Sequence, residues 1–81
     1  MNVRVQLFAI AKQLADREAI ELVVPDGAAV ADVRRALAAA APALAPVLPH
    51  VLFAVNTQYA DEATLIPPNA AVACIPPVSG G

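Results

Sequence analysis

At 81 residues, the chain has the length of one small domain, which leaves little interior volume for an enclosed active site. Hydrophobic residues make up 59% of the sequence, but much of that share is alanine, and prolines interrupt the long uncharged stretches. We therefore exclude a transmembrane helix and expect no membrane partner. The net charge of −2 lacks the basic footprint of a nucleic-acid-binding protein.

The first half of the chain predicts a strand, a short helix and a second strand. Residues 2–8 alternate polar and apolar side chains, which is typical of a half-buried strand. Phe8 falls on the polar side of this strand, and an aromatic side chain on a solvated face indicates an interface. Residues 9–16 predict a short helix, and residues 19–24 predict the second strand.

The second half predicts one long helix and three further strands. Apolar residues spaced i, i+3, i+7 predict an amphipathic helix over residues 30–41, which prolines then end. The apolar run 51–55 predicts a buried central strand. Residues 58–60 predict a short edge strand and residues 71–75 the last strand, after which two prolines stop the sheet.

This order of elements predicts an α+β fold, because several strands accompany only one substantial helix. That helix must cover one face of a mixed sheet of about five strands. We predict a single domain over residues 1–81, with a flexible tail over residues 76–81. The N-terminus lacks a signal-peptide pattern, and the lone Cys74 cannot form an internal disulfide; both features favour a cytoplasmic location.

The common patterns of catalytic and metal sites are missing from the sequence. It contains no Gly-rich phosphate loop and no Cys/His set with metal-ligand spacing, so we predict no metal site. We interpret Cys74 as a small buried hydrophobe and His50 as a loop residue. The Arg34-Arg35 pair is expected on the solvated side of the long helix.

The unusual feature of the sequence is its C-terminal end. It consists of Pro76, Pro77, Val78, Ser79, Gly80 and Gly81. The prolines favour an extended geometry that aims the chain away from the sheet, and the glycines have no side chains, so they fit a narrow channel. Residues 63–81 carry no charged side chain, so the carboxylate of Gly81 would be the only formal charge on the tail.

A carboxylate in this position becomes reactive when an enzyme converts it with ATP into an acyl-adenylate. Sulfur then attacks the adenylate, and the product is a thiocarboxylate, which is a good sulfur nucleophile. Gly81 and Gly80 are therefore the candidate catalytic residues. The four residues from Pro76 to Ser79 would insert with them into a partner protein.

The sequence resembles the MoaD-like group of β-grasp sulfur carriers, the small subunits of molybdopterin synthase. The resemblance covers nearly all of the chain, and the terminal run is its most specific part. Its other segments are Leu7-Phe8-Ala9, Val30-Ala31-Asp32-Val33, Ala54-Val55-Asn56 and Val72-Ala73. Asp16 departs from the family, which often has glycine there, and Ala29 replaces the usual helix cap.

This resemblance implies a ubiquitin-like β-grasp fold and a role as the sulfur-donating subunit of a synthase complex, not as an enzyme on its own. The implied partners are an ATP-dependent, ubiquitin-activating-like adenylyltransferase, a sulfur donor of desulfurase or rhodanese type, and the large synthase subunit. The carrier itself would bind no cofactor, since ATP enters only through the transient acyl-AMP at Gly81. The tail would deliver sulfur to cyclic pyranopterin monophosphate (precursor Z), forming the molybdopterin dithiolene within a heterotetramer.

The resemblance also implies contact positions at Phe8, Tyr59 and Ile75. Strand pairing independently favours placing Ile75 on the same side of the sheet as Phe8, opposite Val72 and Cys74. Two alternatives remain open on the residues alone. One is a sulfur carrier for thiazole (thiamine) synthesis or tRNA thiolation, and the other is a ubiquitin-like modifier or binding module without sulfur carriage.

Overall fold

The computed structural model describes residues 1–77, in which a five-stranded mixed sheet packs on one long helix. The helices and strands follow the order expected from the sequence. They are β1 (Asn2–Leu7), α1 (Ala9–Ala15), β2 (Ala19–Val23), α2 (Val30–Ala40), β3 (Leu52–Val55), β4 (Gln58–Ala60) and β5 (Val72–Ile75). Two single turns of 3₁₀ helix, Pro42–Leu44 and Leu48–His50, connect α2 to β3.

The sheet has the order β2-β1-β5-β3-β4. The first and last strands of this part of the chain, β1 and β5, pair in parallel in the middle of the sheet, and all other pairs are antiparallel. This arrangement confirms the predicted ubiquitin-like β-grasp. It also corrects one prediction, because the central strand is β5, whereas β3 lies one place from the edge.

The core lies between α2 and one face of the sheet. Val3, Val5 and Leu7 of β1 point into it, as their alternation predicts, and all three are buried. The apolar stripe of α2 covers them with Val30, Val33 and Leu37, which are at most 1% exposed. Burial of each such side chain contributes about 1.5–3 kcal/mol, so this layer supplies most of the favourable free energy of folding.

The β3 strand is buried at three of its four positions, Ala54 included, although its uninterrupted apolar run predicted burial throughout. Phe53 and Val55 face α2 and are buried, but Leu52 is 52% exposed. The reason is the strand period of two: α2 covers only one face of the sheet, so alternate residues point to the uncovered face. We call this uncovered face the open face.

An aspartate lies at one end of each α-helix: Asp32 in the first turn of α2 and Asp16 at the C-terminal end of α1. The Asp32 carboxylate accepts a hydrogen bond from the Ala29 backbone N–H at 2.8 Å, which compensates for the missing cap side chain at Ala29. This hydrogen bond is the main reason that the pKa of Asp32 is lowered. At the end of α1, Asp16 adopts a left-handed conformation with φ +54°, which explains why glycine suits that position.

Arg34 contradicts the prediction that both arginines of α2 are solvated. Its side chain is only 23% exposed, whereas that of Arg35 is 73% exposed and pairs with Asp32. The Arg34 guanidinium lies 5.0 Å from the centre of the Phe53 ring, a cation–π contact at the boundary of the core.

The same guanidinium connects α2 to the segment that enters β3 and to the loop that contains Glu62. It donates to the backbone carbonyl of Val51 at 3.1 Å and to that of Leu48, and it pairs with the Glu62 carboxylate, where Nε lies 3.0 Å from Oε1. The carbonyls at the entry to β3 therefore find a donor on α2. Neighbouring positions on a helix point in directions that differ by about 100°. Arg34 therefore reaches these carbonyls, whereas Arg35 points away from them.

A two-residue hairpin connects β3 to β4. Asn56 and Thr57 both have positive φ, +50° and +69°, as in a type I′ turn. Asn56 is well suited to its position, because its backbone N–H donates to the Ala71 carbonyl at 2.8 Å and its side-chain Oδ1 accepts from the Ala71 N–H at 2.9 Å. Thr57 is poorly suited, since a β-branched residue is strained in the left-handed region.

Replacing Thr57 with glycine is expected to raise the free energy of unfolding by about 0.5–1 kcal/mol. Relief of the left-handed strain outweighs the greater entropy of glycine in the unfolded chain. Urea unfolding followed by circular dichroism measures the change, with Thr57→Ala as the matched control that keeps a Cβ. A Thr57→Gly protein less stable than the parent would contradict the strain assigned to this turn.

Candidate functional site

The chain leaves the sheet from its middle strand, β5. β5 pairs with β1 on one side and with β3 on the other, and the ladder ends at Ile75 because the next two residues are prolines. Pro76 is buried and Pro77 is exposed. Pro76 therefore packs as part of the domain, although the sequence placed it in the flexible tail. The predicted site residues Val78, Ser79, Gly80 and Gly81 lie outside the described residues.

Four apolar side chains, three of them exposed and one half-buried (Ile75), cluster on the open face beside this exit, and we call them the apolar patch. Its members are Phe8, Leu52, Tyr59 and Ile75. Leu52 pairs directly with Ile75 across the β3–β5 ladder. The β1–β5 register, continued by one residue, places Phe8 on the other side of Ile75, and the Phe8 N–H donates to the Cys74 carbonyl at 3.3 Å.

The second row of the open face places Tyr59 in the same cluster. Tyr59 pairs with Ala54, and Ala54 pairs in turn with Ala73 of β5. Residues paired across a ladder share a face. Ala54 and Ala73 therefore lie beside Tyr59 on the open face, and their short side chains leave a shallow depression there. Phe8 is 41% exposed and Tyr59 is 70% exposed. The structure thus brings together all three predicted contact positions, and their role in an interface stays a prediction.

Leu52 is the patch residue that the sequence reasoning missed. The signal that identifies it is the same alternation that was applied to β1: if Phe53 and Val55 face the helix, then Leu52 and Ala54 face away. The apolar run obscured this signal, because no polar residue marked the exposed positions. An exposed leucine beside an exposed tyrosine and phenylalanine is typical of a protein-binding surface.

The far half of the open face is polar except for Val23, which pairs with Asn2 at the edge of the sheet. Arg4 of β1 lies opposite Glu21 of β2, with their charged groups 3.5 Å apart and both side chains largely exposed. An exposed pair of this kind contributes at most about 1 kcal/mol to stability. Its more relevant effect is to place charged side chains on the open face between the apolar patch and the exposed Val23.

Cys74 confirms its interpretation as a buried hydrophobe. It points from β5 into the core and is fully buried. Burial raises the pKa of the Cys74 thiol from 9.0 to about 11, and the nearby Arg34 charge opposes this change only in part. The thiol is therefore neutral at physiological pH and does not supply a sulfur nucleophile.

The raised pKa of Cys74 predicts a loss of stability in alkaline solution. The thiol ionises near pH 9 in the unfolded chain but near pH 11 in the folded one, so its contribution is complete below pH 9 and declines above it. The free energy of unfolding should fall by about 2 kcal/mol between pH 8 and pH 11 through this group alone. Cys74→Ala should lack that component, and parallel pH profiles of the two proteins would contradict it.

The remaining candidates do not form a second site. His50 is exposed at the end of a 3₁₀ turn, which agrees with its interpretation as a loop residue. Within residues 1–77, no three His, Cys, Asp or Glu side chains come close enough together to hold a metal ion. In the same part of the chain, no helix combines the length and the apolar character needed to cross a membrane.

The sequence is similar to that of a known protein family and to that of one named relative. Residues 5–81 match the sequence profile of the ThiS family. A relative from Arabidopsis thaliana, the molybdopterin synthase sulfur carrier subunit, is 30% identical over 81 residues. The alignment covers 100% of this chain and 84% of that protein.

Two solved structures are similar over almost their whole length. SAMP1 (small archaeal modifier protein 1) from Haloferax volcanii has a TM-score of 0.88 and 28% identity, and the match covers 100% of both chains. The putative molybdopterin converting factor subunit 1 from Pyrococcus furiosus has a TM-score of 0.84 and 25% identity, covering 96% of this chain and 99% of that one.

Proposed function

Because this chain belongs to the ThiS family, we propose that it is a sulfur carrier whose working group is the C-terminal carboxylate of Gly81. We further propose that it serves as the small subunit of molybdopterin synthase. The observation that carries the proposal is the combination of a Gly-Gly end with an apolar patch at the point where the chain leaves the sheet. The relative from Arabidopsis thaliana, which is named for this role, supports it.

The proposed chemistry takes place in other proteins' active sites. The Gly81 carboxylate attacks the α-phosphate of ATP on an adenylyltransferase, pyrophosphate leaves, and an acyl-adenylate forms. The outer sulfur of a persulfide on a desulfurase- or rhodanese-type donor then attacks the carbonyl carbon and expels AMP, giving an acyl disulfide. A thiol reductant cleaves its S–S bond, which releases the thiocarboxylate and leaves a disulfide. The thiocarboxylate is a better nucleophile than the carboxylate, and it bonds through sulfur to cyclic pyranopterin monophosphate, after which water cleaves the acyl–sulfur bond and restores the Gly81 carboxylate.

The domain supplies no catalytic side chain in this proposal; its role is to position the C-terminal carboxylate at the partner's active site. β5 is held on both sides in the centre of the sheet, so the point from which the C-terminal residues depart is rigid. The apolar patch next to that point lets a large synthase subunit bind the domain and receive the tail in one event. Such an arrangement raises the effective concentration of the terminal group at the partner's site. We expect two carriers to bind a dimer of large subunits, giving a heterotetramer.

Intact-mass spectrometry tests this proposal directly. The chain is incubated with ATP, an adenylyltransferase of the ubiquitin-activating type and a sulfur donor. The expected product is heavier by the difference between one sulfur and one oxygen, and fragmentation places the change on Gly81. A chain that acquires no sulfur under conditions that convert a ThiS-family control protein would refute the proposal.

Truncating Leu52 is expected to weaken binding to the large subunit by about tenfold, a typical effect for an apolar contact residue near the centre of an interface. Leu52→Ala removes an exposed side chain, so the free energy of unfolding should change little. Leu65→Ala is the matched control, because Leu65 is 63% exposed but lies outside the sheet and the apolar patch. Titration calorimetry compares the two variants, and equal affinities would contradict a role for the patch.

A second candidate function is protein modification, which the similarity to SAMP1 favours. Activation of Gly81 would be the same, but the acyl group would pass to a lysine amine and form an isopeptide bond. A sulfur carrier for thiazole synthesis or tRNA thiolation would differ only in the acceptor. Supplying the thiocarboxylated chain with each sulfur acceptor in turn, and the adenylated chain with a lysine-containing protein, separates these roles, since the molybdopterin role requires sulfur transfer to the pyranopterin.

A further inference from the structure

The β2 strand presents an open edge to solvent. It ends the sheet on one side, and within residues 1–77 no other strand pairs with its outer side. Met1 and Val24 exchange two hydrogen bonds, of 2.6 and 2.9 Å, and the Leu7 N–H donates to the Glu18 carbonyl at 2.8 Å. Pairing alternates along an antiparallel ladder, so the even residues of β2 point their backbone groups towards β1.

The odd residues of β2 therefore point their backbone N–H and C=O groups outward. These residues are Ala19, Glu21 and Val23, and no hydrogen bond occupies these groups in the described part of the chain. The outward-facing backbone groups of these three alternate residues can pair with one additional strand. The opposite edge of the sheet, β4, has only three residues in total.

The β2 edge lacks the usual devices that prevent strand addition. Such edges commonly carry lysine or proline or contain a bulge, whereas the five residues of β2 include neither residue type, and their pairing with β1 is uninterrupted. Val23 is 81% exposed, the largest exposure of any bulky apolar residue in the described chain. An exposed valine at the end of an unprotected edge offers a contact for an apolar side chain on an incoming strand.

The charges along this edge indicate the kind of strand it accepts. Glu18, Glu21 and Asp26 follow the outermost strand and its ends, and their side chains are 63–92% exposed. Their cationic partners lie on the inner side, on α1, on β1 and at the N-terminus. Arg17, which is exposed before Glu18, is a cation at the start of this edge, so the row carries three acidic side chains against one basic one. Its net negative charge complements a basic segment.

We propose that the β2 edge binds an extended segment of a partner protein by strand addition, with a basic residue opposite Glu21 and an apolar residue opposite Val23. This surface is separate from the apolar patch, which lies on the other half of the open face. A second copy of the chain is a poor occupant. In the fully overlapped antiparallel register, residue 19 faces residue 23 and Glu21 faces Glu21, and like charges directly opposite destabilise a strand pair.

Amide chemical shifts of the whole chain test this proposal with two short peptides. The probe is acetyl-Val-Thr-Lys-Thr-Val-amide, and the matched control has Glu in place of Lys. The Lys peptide is expected to shift the amide signals of Ala19, Glu21 and Val23 in a saturable manner. The Glu peptide should bind roughly fivefold more weakly or worse, from the loss of one close charge pair. Glu21→Lys should reverse this order.

A proline substitution separates strand addition from simple charge attraction. Val23→Pro removes an N–H that points to solvent and leaves the β1–β2 ladder intact, so the fold should persist while peptide binding is lost. Val23→Thr keeps the N–H and should keep binding. The proposal is overturned if the peptide shifts map to the apolar patch, if Glu21→Lys leaves the preference unchanged, or if folded Val23→Pro binds normally. Concentration-dependent protection of the three amides without peptide would equally overturn it, in favour of a second copy.

Discussion

Adding one alanine after Gly81 is expected to abolish thiocarboxylate formation while leaving the free energy of unfolding unchanged. The extension moves the terminal carboxylate by about 3.5 Å and places a methyl group on the residue that must enter the activating site. A misplacement of ~1 Å at a reacting group costs on the order of a hundredfold in rate, so a displacement of a whole residue should eliminate activation. The fold should be unaffected, because the addition changes no contact among residues 1–77.

Intact-mass spectrometry after incubation with ATP, the activating enzyme and the sulfur donor measures this effect. Deletion of Gly81 should give the same loss. Leu65→Ala is the matched control, since Leu65 is an exposed apolar residue outside the tail and the apolar patch, and this variant should acquire sulfur at close to the parental rate. Efficient sulfur uptake by the extended chain would mean that the carboxylate of Gly81 is not the working group.

Replacing Arg34 with alanine is expected to lower the free energy of unfolding by about 3 kcal/mol. The substitution leaves two backbone carbonyls, those of Leu48 and Val51, without their charged donor, and it removes the cation–π contact with Phe53. A hydrogen bond from a charged group contributes roughly 1.5–3 kcal/mol, and loss of the aliphatic part of the arginine adds to the cost. The ion pair with Glu62 is more exposed and contributes less.

The neighbouring arginine provides the control for this prediction. Arg35→Ala removes an equal charge from the same helix, but Arg35 is largely exposed and within residues 1–77 pairs only with Asp32, so the loss should be about 0.5 kcal/mol. Urea unfolding of the two variants under identical conditions gives the comparison. Similar losses for both would show that Arg34 acts only through its charge and not as the tie between α2 and the entry to β3.

The local signals in this sequence predict the elements well. The alternation of residues 2–8 and the helical stripe of α2 describe the core correctly, because each reflects a repeat of only a few residues. The three predicted contact positions lie together in the structure, whereas the predicted roles of the site residues stay predictions. Phe8 was noticed because an aromatic broke the polar side of a clear alternation, and the tail was noticed from composition alone.

The errors occur where a residue's surroundings come from distant parts of the chain. Leu52 was assigned to a buried run because neither its neighbours nor its own character shows that α2 covers only the other face. Arg34 was assigned to solvent because its partners lie 14, 17 and 28 positions further along the chain. The central place of β5 depends on a parallel pairing with the first strand, which no local pattern reports.

By itself, the amino-acid sequence determined the order and type of the elements, the inward faces of β1 and α2, and a terminal segment suited to carry a reactive group. These features depend on side-chain period, turn chemistry and backbone freedom, which act over a few residues. Only the tertiary structure decided which apolar residues remain on the open face, which arginine becomes a structural tie, and which edge of the sheet stays unpaired. Those outcomes depend on contacts between distant segments, whose free energy exists only once the chain has closed on itself.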